Sequence, residues 1–321
     1  MTVDIIELGA AVVSINVADK KGVFEDVIVG FDNPDDFKNN TVYFGIIAGR
    51  HANRIAYGKF QLNGKEYQLT INNRPNHLHG GIKGLHTKIW NMENKADNSI
   101  RLSCSSPDGE EGYPGNIKVN VTYTVTEDNA LQIEYEATTD TPTILNLTNH
   151  CYFNLSADQQ STILDHELFI DAEKYTVVDK DSIPTGELAP VNQTPMDFRK
   201  STKVGSRIND DFEQLSFGHG YDHNWVLNNY NGQVRKVASV YHAQSGRAMD
   251  VLTDQPGIQF YSGNFLDGVK GKKGVVYRKR SALCLEAQLF PDSPNNSHFP
   301  SAVITPDKKY TQTTVYKFST K

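Results

Sequence analysis

Apolar residues recur at every second position over much of the chain, the period of a strand with one buried face. Phe60 and Leu62 lead into Asn63-Gly64, and Tyr67 and Leu69 continue the alternation beyond it. Asn-Gly between alternating segments predicts a type I′ hairpin, because both residues tolerate positive φ. A second alternation, Ile117, Val119, Val121, Tyr123 and Val125, turns at Glu127-Asp-Asn129 and returns through Leu131, Ile133, Tyr135 and Ala137. Further strands are predicted around Val251, Ile258–Tyr261, Leu283–Leu289 and Tyr316–Phe318. Helical spacing is scarce: Ile208, Phe212 and Leu215 mark one short helix, and Pro34–Lys38 is a second candidate. No internal repeat, linker or break in composition interrupts this pattern. It predicts an all-β fold, a single large antiparallel β-sandwich domain over residues 1–321 with few short helices.

Composition refines that picture rather than changing it. A chain of 321 residues can bury roughly three quarters of its unfolded surface, so an apolar content of only 38% points to strands with wet outer faces. The net charge of −6 comes from scattered residues, and no basic stripe exists to neutralise a phosphate backbone, which argues against nucleic acid as a partner. Cys104, Cys151 and Cys284 stand at unrelated spacings that suit neither a disulfide framework nor a zinc pattern, as in a reducing compartment. Met1–Glu7 carries acids where a secretory leader needs a basic region and an apolar run. No apolar stretch is long enough to cross a bilayer. The expectation is a cytoplasmic protein without membrane contact, in which the sequons at Asn146, Asn154, Asn192 and Asn295 are incidental.

Five polar segments carry the candidate chemistry: Gly49–Arg54, Asn76–Gly81, Asn149–Asn154, Tyr221–Trp225 and Cys284–Gln288. They offer imidazoles, carboxylates, amides, a guanidinium and aromatic rings, a set suited to acid–base work on a neutral polyol. In Leu283–Leu289, alternation puts residues 283, 285, 287 and 289 on one strand face and Cys284, Glu286 and Gln288 on the other. A solvated outer face and a functional carboxylate both fit that position. Over Leu145–Asn154 the same rule sets Leu145 and Leu147 against Asn146, Thr148, His150, Tyr152 and Asn154. That face reads as a sugar-binding surface or as a structural histidine within a sheet. His77 and His79 would share a strand face, as a metal pair does, although no recognised ligand spacing accompanies them. Arg50 and Arg54 fit either a substrate fork or a structural ion pair. Ser106–Gly115 reads as a loop whose acids and tyrosine could border a site.

Taken together, and in this order, the segments resemble the aldose 1-epimerase family. The resemblance rests on Gly49-Arg-x-Ala-Asn-Arg-Ile55, Leu78-His-Gly-Gly81, Ser106–Gly115, Leu147-Thr-Asn-His-x-Tyr-Phe-Asn-Leu155, Ile183-Pro-Thr-Gly-Glu187, Tyr221-Asp-His-Asn224, Gln255–Asn264 and Cys284-Leu-Glu286. It covers nearly the whole chain. It implies a galactose mutarotase-like supersandwich with an open sugar cleft, no cofactor and no metal, acting on aldoses such as galactose and glucose. By motif position His150 is expected as the general acid and Glu286 as the general base. Asn53, Arg54, His79, Tyr152, Asp222 and Gln259 are expected to bind substrate. Members of the family usually carry one or two strands before Val3–Gly9, a departure that costs no matched site residue. Other chemistries remain open to these side chains: a glycoside hydrolase using Glu286 with Asp222, a sugar sensor without activity, or an epimerase of hexose 6-phosphates. The preferred aldose is open too, as is the choice between monomer and homodimer.

Overall fold

In the computed structural model, which describes residues 1–321, two antiparallel sheets pack into a β-sandwich. The larger has nine strands, in the order Thr202–Lys203, Glu167–Ile170, Arg235–His242, Arg247–Thr253, Tyr310–Thr320, Ala130–Thr139, Ile117–Val125, Ser99–Ser106 and Asn91–Ala96. The smaller runs Pro184–Pro190, Ala172–Val178, Asp222–Leu227, Gly257–Tyr261 and Cys284–Gln288. A three-stranded N-terminal sheet, Thr2–Ile5, Val12–Ala18 and Phe24–Asp26, lies beside them.

The alternating sequences form the strands expected of them. Ile117–Val125 pairs with Ala130–Thr139 over nine residues, and both place every second residue inward. Lys59–Leu62 and Lys65–Gln68 make the hairpin, with Asn63 at φ 52° and Gly64 at φ 77° as a type I′ turn requires. The helix predicted from Ile208, Phe212 and Leu215 is shorter than that spacing suggests: Glu213–Gly218, preceded by Phe212 at its cap. Pro34–Asn39 is a 3₁₀ turn, capped by the Asn33 side chain accepting from the Asp35 N–H.

The main core contains Val119, Val121, Ile133, Tyr135, Met249 and Tyr316 from the larger sheet, and Trp225, Ile258, Phe260 and Leu285 from the smaller. Tyr316 donates its hydroxyl hydrogen to the Leu285 carbonyl (3.0 Å), and Gln312 donates to the Ala287 carbonyl (3.1 Å). These bonds seat the strand Cys284–Gln288 against the core by its odd-numbered face. Its even-numbered face, with Cys284, Glu286 and Gln288, is thereby turned away from the main core. Every residue of that strand is buried, so the solvated outer face allowed by the sequence is not what forms.

Candidate active site

The site stands on the polar face of the five-stranded sheet, where register builds two rows. Asp222 pairs with Tyr261, which pairs with Cys284; Asn224 pairs with Gln259, which pairs with Glu286. Directly opposed residues lie close enough for side-chain contact, so three distant segments become neighbours. Above the sheet, loops add Tyr43, Asn53, Arg54, His79, His150 and Tyr152 around a cavity of about 330 Å³.

His150 and Glu286 face each other in this cavity, with His150 Nε2 3.6 Å from Glu286 Oε1. Both are nearly enclosed, at 5% and 2% exposed. Their separation exceeds a hydrogen bond, so the two groups approach without being satisfied by one another. Burial pushes the Glu286 carboxyl well above the usual carboxylate range; nearby Asp222 pushes the same way and Arg54 opposes. Burial also lowers His150 to about 4. Cys284 Sγ lies 3.6 Å from His150 Nδ1, and the Tyr152 ring stacks on the imidazole at 5.0 Å.

Of the other expected residues, Asn53, Arg54, His79, Tyr152 and Asp222 line the same cavity, whereas Gln259 does not and touches it only through Asp222. His79 follows the short strand His77–Leu78 at φ 49°, a left-handed conformation that swings its ring out of strand geometry. Its Nδ1 accepts the Asn53 backbone N–H (3.1 Å), so the other nitrogen of the neutral ring must carry the hydrogen and is a fixed donor. Burial is the largest cause that drives its pKa well below the ordinary value, followed by neighbouring His150 and Arg54. Arg54 donates from Nε to Asn73 Oδ1 (3.2 Å) and holds Nη1 3.8 Å from Asp222 Oδ2. Gln259 donates to the second Asp222 oxygen at 2.8 Å. Asn53 caps its own turn, its Oδ1 accepting from the Arg54 N–H. Tyr152 lines the pocket, but its hydroxyl is committed to the Val42 carbonyl at 2.7 Å, which leaves the ring face as its contribution.

His79, His150 and Glu286 each offer one atom within 4.8 Å of the others, which raises the question of a cation. The donor set does not suit one. The free nitrogen of His79 is a donor as long as Asn53 occupies Nδ1, and a hydrogen-bearing nitrogen has no lone pair for a metal. His77, the other half of the expected pair, is elsewhere: its ring bridges the Thr70 carbonyl and the Tyr113 hydroxyl, each at 2.6 Å.

One sequence expectation is corrected here, and two readings left open are resolved. Leu145–Asn154 is not one continuous strand: it holds one two-residue strand, Thr148–Asn149, with isolated bridges at Asn146 and Phe153. Of its polar residues, His150 and Tyr152 reach the cavity. Asn146 and Asn154 instead hold backbone groups, including Leu289 N–H and the Ser281 carbonyl. Arg50 is structural: its guanidinium donates to Ser106 Oγ and to the carbonyls of Ser106, Pro107 and Pro114. Ser106–Gly115 closes that latch rather than bordering the site; its Glu111 carboxylate accepts from the Ile82 and Lys83 N–H groups. The sequence reading missed Thr41, Val42, Tyr43, Asn73 and Phe265, which also line the pocket. Tyr43 lies at φ 64° with its ring 4.7 Å from His79, and no local pattern announces such a conformation.

The family model described as aldose 1-epimerase matches residues 1–317. The chain is 45% identical over 320 residues to the galactose mutarotase of Bos taurus, covering 99% of this chain and 91% of that protein. It is 35% identical over 321 residues to the aldose 1-epimerase of Escherichia coli (strain K12), covering 99% and 92%. A crystal structure of a GalM/aldose epimerase homologue from C. elegans superposes with a TM-score of 0.92 at 35% identity, covering 99% of this chain and 95% of that one. No helix in the structure is long and apolar enough to cross a membrane.

Proposed function

The chain belongs to the aldose 1-epimerase family and is an isomerase that interconverts aldose anomers, and we propose that His150 and Glu286 carry the proton transfers. The observation behind this assignment is the facing pair itself: an imidazole and a carboxyl 3.6 Å apart, both buried. Galactose and glucose are the proposed substrates; the relatives' names support galactose and, more broadly, an aldose.

Opening a pyranose removes the proton of the C1 hydroxyl and places one on the ring oxygen. Those two oxygens share C1, so a base and an acid a short distance apart can serve both at once. Burial disfavours charge on either partner, so the empty pair holds one proton, with His150 neutral. A bound sugar alters that balance. Its C1 hydroxyl donates to the Glu286 carboxylate, and its ring oxygen accepts from protonated His150, so both charged forms gain hydrogen bonds. Glu286 then takes the hydroxyl proton as His150 protonates the ring oxygen. The open aldehyde rotates about C1–C2 and recloses from its other face with the roles reversed. His79, a fixed N–H donor, and Arg54 stabilise charge developing on the sugar oxygens. Asp222, held by Gln259 and faced by Arg54, reads a ring hydroxyl; with both oxygens engaged it is placed to bind rather than to act as a second acid. Asn53 fixes His79 and Arg54 at once, and Tyr152 supports the His150 ring.

Polarimetry of freshly dissolved α-galactose, corrected for the spontaneous rate, tests the assignment. Glu286→Gln and His150→Asn should each lose roughly 10²–10⁴ in kcat, the usual worth of a positioned acid or base. Full activity in either variant would sink it. Release of reducing ends from an aryl galactoside would instead support hydrolysis.

A further inference from the structure

Asn224 and Gln288 belong to two of the polar segments, and the mechanism above gives neither of them work. Both are completely buried, and the amide nitrogen and oxygen of each lack any hydrogen-bond partner. Native folds rarely leave even one buried amide unpaired, and a leucine or methionine would fill the same volume without that cost. The register sets the two around the base. Asn224 lies across from Gln259, which lies across from Glu286; Gln288 is two residues beyond Glu286 on the same face, across from Gly257. A Cβ at Gly257 would overlap Asn224 Oδ1, so the Asn224 side chain leans over that glycine toward Gln288. Two more unpaired buried atoms share this face, Gln259 Oε1 and Glu286 Oε2. Glu286 Oε1 is the oxygen that meets His150, and Oε2 is the one left without a partner.

We propose that Asn224 and Gln288 are positioning residues for Glu286: their NH₂ groups donate, through internal water held between them, to Oε2, favouring the ionised carboxylate once the sugar is bound and keeping Oε1 aimed at the anomeric hydroxyl. This rests on Glu286 being the base. The remaining surroundings of Glu286 show why such donors are needed. Asp222 faces it as a like charge and Arg54 as an opposing cation. His79 and His150 approach it as neutral rings, and Cys284, Tyr152 and Tyr261 as un-ionised groups. Arg54 and Asp222 oppose one another in their effect, so uncharged donors must supply the rest of the stabilisation. Amide groups are preorganised for this and bring no charge into the core.

Gln288→Met and Asn224→Leu, both nearly isosteric, test the proposal by kcat, KM and the pH profile of galactose mutarotation. The expected result is a kcat lower by roughly tenfold or more, KM within about twofold, and the limb governed by Glu286 ionisation moved to higher pH. The double variant should be little worse than the poorer single one, because one water network links both amides. An unmoved pH profile in a folded variant overturns the proposal, and so does a lower melting temperature with kcat intact, which is the signature of packing alone. Should an apolar variant fail to fold, Gln288→Asn, which withdraws the amide by one methylene, must shift the profile in the same direction. Glu286→Gln distinguishes the two levels: activity there removes the premise, whereas inactivity there with normal Asn224 and Gln288 variants removes only this inference.

Discussion

Two neighbouring regions of this protein are made of the same residue types and do opposite things. Arg50 and Arg54 are four residues apart, and His77 and His79 are two apart. Arg50 and His77 join Ser106–Pro114 in a latch where they are fully bonded: the guanidinium meets four acceptors, and the imidazole bridges Thr70 and Tyr113. Arg54 and His79 enter the cavity partly bonded. Each is fixed through one nitrogen, to Asn73 and Asn53 respectively, and turns the rest of its donors toward the space between the loops and the sheet. A buried polar group whose hydrogen bonds are complete stabilises a fold; one held firmly but incompletely is left to bind. The difference lies in the number of committed nitrogens rather than in the residue type.

Acid should act on both regions alike and produce the largest change. Burial holds eight histidines below their ordinary pKa: His51, His77, His79, His86, His150, His166, His223 and His242. A group depressed in the folded state takes up its proton first in the unfolded one. Stability is therefore present above 6.5, the ordinary histidine value, and is lost as pH falls from there through about 4, where His86 and His150 titrate. Glu286, Asp254 and Asp292, the last pushed up to about 6, oppose this by binding protons in the fold, but three groups face eight. Each net proton is worth about 1.4 kcal/mol per pH unit. Urea titrations at several pH values should show a steep fall in stability through this window, and a flat profile would mean that the histidines are not held neutral.

The arginine pair separates the regions. Arg50→Met strands four acceptors in the latch, and urea denaturation should show about 2–4 kcal/mol lost while kcat/KM per folded molecule is unchanged. Arg54→Met should reverse the pattern, lowering kcat/KM by roughly 10²-fold or more with a smaller effect on stability. Similar losses of both quantities in both variants would erase the distinction. The histidine pair gives the smaller contrast. His77→Phe leaves the Tyr113 hydroxyl unpaired and should cost about 1–3 kcal/mol, read as a lower urea midpoint. His79→Phe should depress kcat with a nearly normal midpoint. Activity lost in the His77 variant at full stability would put both rings in the site.

Much of this was legible because the strands alternate cleanly. Glu286 was placed on the polar face of its strand by Leu283, Leu285 and Leu289 alone, and the structure keeps that face. Its burial was not legible, since a polar strand face is dry or wet according to what covers it. The His150 segment was harder. Its backbone bonds in turn to Arg50, Ile47, Ile46, Leu283 and Val27, so it changes partners within a few residues and is buried on both sides. Alternation cannot assign faces where no single sheet exists. Tyr43 and His79 depend on positive φ in non-glycine residues, conformations imposed by the surrounding contacts and not preferred by the residues themselves.

By itself, then, the sequence determined the antiparallel architecture, the hairpin at Asn63-Gly64 and the facing of Glu286, because periodicity and turn preference are local properties. The ordered motifs pointed further, to the family. Only the tertiary structure decided which arginine and which histidine enter the cavity, that His150 and Glu286 meet at 3.6 Å, and that Asn224 and Gln288 stand unpaired on the face that carries Glu286. Those outcomes depend on how many hydrogen-bond partners a distant segment brings to each side chain, and that number exists only once the chain has closed on itself.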